Sequence, residues 1–223
     1  MKNYKKRRVR RGEVKVVEGI NHKKLIVDGK VQLITGENIP ETIFVSDINL
    51  LNDKKLNVLC VGLGGGYTLT EILKHSNVIH VDVVEIYNSV IYSLKKFETY
   101  DIIKKDNRVN IINKNIVKYL QKSEKKYDLI VIDLCHPELE SSKNIYEEKF
   151  FLDLKSVLTD DGLILKWFYN NGYIQTTGKH IYNKIKNICK GIFNVCKSKV
   201  VEETIYFFIT DNIMLKSKNR NYE

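Results

Sequence analysis

At 223 residues, 43% hydrophobic and 29% charged, the chain has a globular composition that can bury a full core, which excludes a disordered protein. No apolar run approaches the ~20 residues of a membrane span, and the basic start, Met1 to Arg8, has no apolar segment behind it. Neither a spanning helix nor a signal peptide is therefore expected, and the cytoplasm is the expected compartment. The net charge of +10 comes with a complete lack of alanine and an abundance of Lys, Asn and Ile, as in AT-rich coding sequences. Much of the lysine excess thus reads as solvated surface.

In chain order, residues 1–12 form a basic tail in which Lys5-Lys6-Arg7-Arg8 and Arg10-Arg11 cluster. Such a cluster can contact nucleic acid or an anionic surface, but the favoured reading is a solvated, partly disordered end. Glu13 to Val17 and Lys24 to Val27 alternate as strands. Asp28-Gly29 is a two-residue hairpin signal, and Lys30 to Ile34 is a third strand. A short helix is expected from Thr42 to Leu51. Residues 13–52 thus make a small N-terminal β-unit, residues 53–215 the main domain, and residues 216–223 a tail.

The main domain is organised around Leu56 to Glu85. An apolar run, Val58 to Val61, is short enough for a buried strand. Gly62, Gly64, Gly65 and Gly66 follow, then Leu69, Ile72 and Leu73 at helical spacing, then a second apolar run, Val78 to Val84, ending in Glu85. Glycines let backbone approach a ligand, the helix start presents free N–H groups, and an acid ending the next strand accepts ribose hydroxyls. Tyr67 breaks the G-x-G-x-x-G pattern, which favours a nucleoside without phosphates, such as S-adenosylmethionine. The alternative is a tight turn with no ligand.

Alternation continues with a helix from Asn88 to about Phe97, a strand at Val109 to Asn113, a helix at Ile116 to Lys122 and a strand at Lys126 to Asp133. A helix at Tyr146 to Leu158, closed by Asp160-Asp161-Gly162, precedes a strand at Leu163 to Phe168. A helix at Gly178 to Cys189 leads into Phe193 to Lys199 and Thr204 to Thr210, two late strands read as an antiparallel pair. Repeated β-α units imply an α/β fold with a mostly parallel sheet covered on both faces. Gly62 to Gly66, Glu85, Asn115 and Asp133 all fall at the carboxyl edge of that sheet, where ligands bind. The cysteines, Cys60, Cys135, Cys189 and Cys196, include no C-x-x-C pair, so reduced structural thiols are expected and zinc is not.

These residues resemble the spermidine synthase family, the polyamine aminopropyltransferases, on the Rossmann-like class I methyltransferase fold with a seven-stranded sheet. The resemblance runs from about Val14 to Thr210. Asp28 to Leu33 is similar to the family's N-terminal hairpin, which implies that Gln32 touches the cofactor. Val58 to Leu73 resembles its glycine loop, Val84-Glu85-Ile86 the ribose-binding segment, and Asp133 the catalytic acid. Asn144 to Phe151 is similar to the helix start that follows. The resemblance also implies association through the N-terminal unit, hence a homodimer.

The chain departs from the family pattern within the site. Gly65 stands where the family has an aspartate for the cofactor's amine, and Asn115 where it has an adenine-side aspartate. The D-x-x-D pair reads Asp133-Leu134-Cys135-His136. Ile39 and Pro40 replace a tyrosine and its polar neighbour before Glu41, and Glu202-Glu203-Thr204 stands in place of a tyrosine-proline loop. Gly65 removes repulsion of a carboxylate, so the leading expectation is S-adenosylmethionine, with transfer of a methyl or 3-amino-3-carboxypropyl group to an amine or other nucleophile. Asp133 is the expected base, and His136 shares the duty near neutral pH. A second expectation is aminopropyl transfer from decarboxylated S-adenosylmethionine. Methyl transfer leaves S-adenosylhomocysteine, whereas aminopropyl transfer leaves methylthioadenosine. A third is a nucleoside-binding protein without catalysis. Tyr67 and Trp167 read either as pocket walls or as packing.

Overall fold

The computed structural model describes residues 13–36, 45–51, 53–134, 144–169, 177–201 and 204–218. The N-terminal unit is a three-stranded antiparallel sheet of β1 (Val14–Glu18), β2 (Lys23–Val27) and β3 (Lys30–Ile34). Asp28 (φ 51°) and Gly29 (φ 80°) both take left-handed backbone, the geometry that a two-residue hairpin needs. Tyr87 Oη donates to Asp28 Oδ2 at 3.1 Å and ties this turn to the main domain.

The main domain runs β4 (Leu56–Val61), α1 (Tyr67–Leu73), β5 (Val78–Glu85), α2 (Asn88–Ser93), α3 (Tyr100–Lys105) and β6 (Val109–Asn113). It continues with α4 (Ile116–Leu120), β7 (Tyr127–Asp133), α5 (Glu148–Val157), β8 (Leu158–Tyr169) and α6 (Thr177–Ile192). The last elements are β9 (Val195–Val201), β10 (Thr204–Thr210) and α7 (Ile213–Lys218). The seven strands lie in the order β6-β5-β4-β7-β8-β10-β9, parallel except for β10, which is antiparallel to both neighbours. From β4 the chain winds outward to β6, then crosses to β7 on the other side. The crevice between the carboxyl ends of β4 and β7 is therefore the switch point where α/β sheets bind ligands.

Val58 and Cys60 of β4 and Val131 of β7 face Leu69 and Ile72 of α1, while Leu59, Val61 and Ile132 face Phe150, Phe151 and Leu154 of α5 and Ile185 of α6. Burial on both sides explains why these strands read as unbroken apolar runs rather than alternating ones. Each fully buried Leu or Phe of α5 contributes roughly 1.5–3 kcal/mol.

Arg108 fastens the end of α1 to the sheet. Its guanidinium donates to Leu73 O at 2.7 Å, Val78 O at 3.1 Å and His75 O at 3.3 Å, and pairs with Asp106 at 2.6 Å. A lysine cannot reproduce this fork. Arg108→Lys is expected to cost about 1–3 kcal/mol through carbonyls left short of a donor, read as a lowered midpoint in thermal unfolding.

The structure departs from the expected elements in several places. The helix expected from Asn88 to about Phe97 is α2 followed by a 3-10 turn at Leu94–Lys96, and after Phe97 turns extended the chain adds α3, a helix the sequence reading did not include. Strand β8 begins at Leu158, so Asp160-Asp161-Gly162 lies inside it, with the β7–β8 register shifting between Tyr127 and Leu129. Helix α6 passes through Gly191, which faces open space. Of the expected helix from Thr42, only 45–51 are described, and Ser46–Leu51 is a 3-10 turn. No helix among the described residues is long and apolar enough to cross a membrane. The basic tail lies outside the described residues.

Candidate active site

A cavity of about 950 Å³, counting its open mouth, sits at the switch point. Its walls come from the hairpin of β2 and β3, the glycine turn after β4, the ends of β5 and β7, and the segment following β6. Of the residues singled out in the sequence, Gln32, Gly62, Gly64, Gly65, Glu85, Asn115 and Asp133 all line it.

The glycines divide by role. Gly62 has φ 96°, and a Cβ there would lie 2.4 Å from Asp133 O, so the turn passes hard against the end of β7. Gly66 does not line the cavity. It has φ 82° at the start of α1, and a Cβ would meet Ile103 at 2.5 Å and Leu94 at 3.0 Å. Its expected cofactor contact is thus replaced by a packing role against α3. Gly65 corrects a further expectation. A Cβ there would lie 2.4 Å from Leu33 Cδ2 and 2.9 Å from Tyr67 Cε2. The room expected for an amino-acid tail beside Gly65 is occupied by side chains of β3 and α1, so the argument for S-adenosylmethionine over its decarboxylated form loses its physical support.

Glu85 is 6% exposed and points into the crevice floor. Oε2 accepts from Leu63 N at 3.1 Å and Oε1 from Tyr87 N at 2.8 Å. Burial pushes its pKa up, against the opposing effect of these N–H groups. Each oxygen keeps a lone pair for a ribose hydroxyl. In Glu85→Gln the amide NH2 would face a backbone N–H, donor against donor. Affinity for an adenosine ligand such as methylthioadenosine is expected to fall about 10- to 100-fold by calorimetry, the equivalent of one poorly satisfied buried hydrogen bond.

Asp133 stands across the cavity with both oxygens held. Thr68 Oγ1 donates to Oδ2 at 2.7 Å, and Trp167 Nε1 donates to Oδ1 at 2.8 Å. Burial raises its pKa, while the Thr68 and Trp167 bonds and the charge of Lys166 act the other way. A carboxylate so oriented, with a pKa moved toward neutrality, suits a general base. Trp167 belongs to the site as well as to packing. Thr68 was not foreseen, since nothing in the first turn of α1 announces a partner 65 residues away. Lys114 also lines the cavity and carried no sequence signal beyond its neighbour Asn115.

Asn115 is the N-cap of α4, its side chain accepting from Lys118 N at 3.3 Å. Gln32 Nε2 donates to Lys30 O at 3.3 Å. Tyr67 is a wall, its hydroxyl bonded to Glu98 and its ring edge-on to Phe97 at 6.4 Å. His136, the expected second base, lies outside the described residues, as do Cys135, Ile39, Pro40, Glu41, Glu202 and Glu203.

The sequence profile of the spermine/spermidine synthase domain matches residues 41–223. Among curated relatives, a polyamine aminopropyltransferase of Methanocaldococcus jannaschii is 31% identical over 183 residues, covering 80% of this chain and 59% of the relative. One of Saccharolobus solfataricus is 32% identical over 173 residues, covering 75% and 58%. The chain thus spans somewhat under three fifths of the length of these relatives. Among solved structures, spermidine synthase from Thermotoga maritima superposes with TM-score 0.74 at 18% identity, covering 94% of this chain and 76% of that one. A spermidine synthase in complex with the transition-state analogue AdoDATO gives TM-score 0.71 at 19% identity, with the same coverage. Human methyltransferase-like protein 13 with SAH gives TM-score 0.61 at 19% identity, over 77% and 79% of the two chains, so the fold is that of class I methyltransferases too. With its profile match, its relatives above 30% identity and its fold in agreement, the chain belongs to the spermine/spermidine synthase family.

Proposed function

We propose that this chain is a polyamine aminopropyltransferase that takes decarboxylated S-adenosylmethionine in the switch-point cavity and transfers its aminopropyl group to an amine. The observation that carries this reading is the facing pair of acids, Glu85 and Asp133, each held by protein donors on opposite sides of one cavity. The curated relatives, named as polyamine aminopropyltransferases, support aminopropyl over methyl transfer. The packing of Leu33 and Tyr67 against Gly65 removes the argument that pointed to a methyl donor.

In this reading Glu85 accepts the ribose hydroxyls, and Asn115 and Gln32 border the rest of the nucleoside. The sulfonium supplies the electrophilic carbon. The amine nitrogen attacks that carbon, the carbon–sulfur bond breaks, and methylthioadenosine leaves. Asp133 accepts the proton that the amine sheds, and its fixed rotamer spares reorganisation at that moment. The homodimer is part of the proposal, with Val17 and Val31 exposed on the three-stranded sheet.

The test is product analysis. Purified protein is given each donor in turn with a panel of di- and polyamines. Methylthioadenosine formed only from the decarboxylated donor and only with an amine present is the expected result. S-adenosylhomocysteine from the full donor would overturn the proposal. Binding of either donor with neither product would return the chain to a nucleoside-binding protein.

A further inference from the structure

The cavity is built from two sheets. Leu25 and Val27 of β2 with Gln32 and Leu33 of β3 form one wall, and Glu85 at the end of β5 forms the floor. Tyr87 spans the two. Its backbone N–H donates to Glu85 Oε1 at 2.8 Å, and its hydroxyl donates to Asp28 Oδ2 at 3.1 Å in the turn between β2 and β3. Its carbonyl accepts from Val90 N at 2.9 Å and opens α2. The side chain is half-buried against the core and itself lines the cavity. Asp28 is fixed from its other side as well. Oδ1 accepts from Glu13 N at 3.1 Å, and Asp28 N donates to Glu13 O at 2.9 Å, which ties the turn to the chain entering β1. Holding Asp28 therefore holds the turn and the two strands that face the cavity. The β-unit has further anchors, with Leu25 and Val27 buried in the main core and Lys23 Nζ 2.5 Å from Lys96 O. Tyr87 is thus not what attaches the unit. Its place between the acid and the turn suits it to set how the hairpin lies over the cavity.

We propose that Tyr87 is a positioning residue that couples the β2–β3 hairpin to nucleoside occupancy of the cavity, a proposal that rests on Glu85 as the ribose acid. A ribose bound to Glu85 fixes the carboxylate, and the carboxylate fixes the Tyr87 backbone through its N–H. The hydroxyl at the other end of the residue then holds the hairpin turn over the bound molecule. Linkage makes the effect reciprocal: a seated hairpin favours the nucleoside by the same factor by which the nucleoside favours the seated hairpin. The net contribution of one such hydrogen bond corresponds to roughly a two- to tenfold change in an equilibrium.

The test is hydrogen exchange of the full chain, with and without methylthioadenosine, beside calorimetry with the same ligand. In the wild type, methylthioadenosine should slow exchange in residues 23–34. Tyr87→Phe keeps the ring and the N–H to Glu85 and removes only the hydroxyl. Without ligand, residues 23–34 of this variant should exchange about two- to tenfold faster, while Leu56–Val61 and Tyr127–Asp133 exchange as in the wild type. Its affinity for methylthioadenosine should fall by a similar factor. Asp28→Asn should stay within about twofold of the wild type in both measurements, because its amide can donate to Tyr87 Oη, its oxygen can still accept from Glu13 N, and asparagine tolerates the φ of 51°. Unchanged hairpin exchange in Tyr87→Phe, exchange that rises equally in the central strands, or an Asp28→Asn as impaired as Tyr87→Phe would each overturn the positioning role and leave the function of the cavity untouched. Hairpin exchange that ignores bound methylthioadenosine in the wild type would overturn the coupling. A wild type that binds no methylthioadenosine would instead overturn the reading of Glu85, and the coupling with it.

Discussion

Asp133→Asn is expected to slow methylthioadenosine formation by about 10²–10⁴-fold, the usual contribution of a general base. The variant should keep its fold and its nucleoside site. An asparagine oxygen can still accept from Trp167 Nε1, which only donates. Its NH2 can face Thr68 Oγ1, because a hydroxyl turns from donor to acceptor without moving its oxygen. The side chain therefore stays in place and loses only its capacity to take a proton. Affinity for methylthioadenosine should remain within about twofold, since the interaction removed is one made with the attacking amine and not with the bound nucleoside. Steady-state rates and calorimetry on the same preparation separate the two quantities. A loss of activity below tenfold, or an equal loss of nucleoside affinity, would sink Asp133 as the base.

The pH profile adds an independent check. Burial holds the Asp133 pKa above the ordinary carboxylate value, against Thr68, Trp167 and Lys166, which favour its charged form. Glu85 shares the cavity, and the charge of Asp133 opposes its ionisation. The base works only when ionised, so activity should fall as pH drops through this raised pKa. Trp167→Phe deletes one bond to the charged form, which raises the pKa further. The acidic limb of kcat/KM should accordingly move to higher pH than in the wild type. A merely structural role for Trp167 would lower activity at every pH and leave the limb in place.

Much of this site is legible in the sequence because its parts are local. The run from Val58 to Glu85 carries strand, turn, helix, strand and acid within one unit, and Asp28-Gly29 fixes its own hairpin by backbone preference alone. What escaped is long-range or energetically balanced. Thr68 and Trp167 meet Asp133 from 65 and 34 residues away, and no periodicity encodes that meeting. Gly191 reads as a helix stop, and a glycine inside a helix costs about 1 kcal/mol. Here the buried face of α6, with Ile185 and Cys189 in the core and Phe193 N bonded to Cys189 O, outweighs that cost. The Asp160-Asp161-Gly162 sequence reads as a turn, yet Gly162 O accepts from the buried Thr210 Oγ1 at 2.6 Å and the strand absorbs it. Gly65 shows the limit of reading a substitution as empty space, since Leu33 of a distant strand fills the space that an aspartate side chain would need.

The largest expected effect on stability falls on a residue outside the cavity. Asp82 of β5 has no exposed surface and gathers donors from the surrounding elements. Lys125 Nζ and Asn110 Nδ2 each lie 2.6 Å from its carboxylate, Tyr127 Oη 2.7 Å, His80 Nε2 3.1 Å and Tyr119 Oη 3.3 Å, with the two tyrosine hydroxyls also bonded to one another. One side chain thus joins β5, β6, α4 and β7 at the end of the sheet away from the cavity. Asp82→Ala leaves the buried Tyr127 hydroxyl and an asparagine amide without their acceptor, while Tyr119 can still donate to Tyr127. Half-exposed Lys125 can swing into water, so the loss should sit near the lower end of the range for breaking a buried pair, about 3 kcal/mol by urea unfolding. The pH dependence fixes the cause. Burial alone would raise the Asp82 pKa, but Lys125, Asn110, Tyr127 and His80 override it and hold the group well below the carboxylate range. A pKa depressed in the folded state contributes stability that is complete above the unfolded value, about 3.9, and is lost as pH falls toward the folded value. The stability gap between wild type and Asp82→Asn should therefore be flat above about pH 5 and narrow as the solution is made more acid. A gap that stays constant down to pH 3 would assign the effect to shape and packing and not to the charge at the centre of this network.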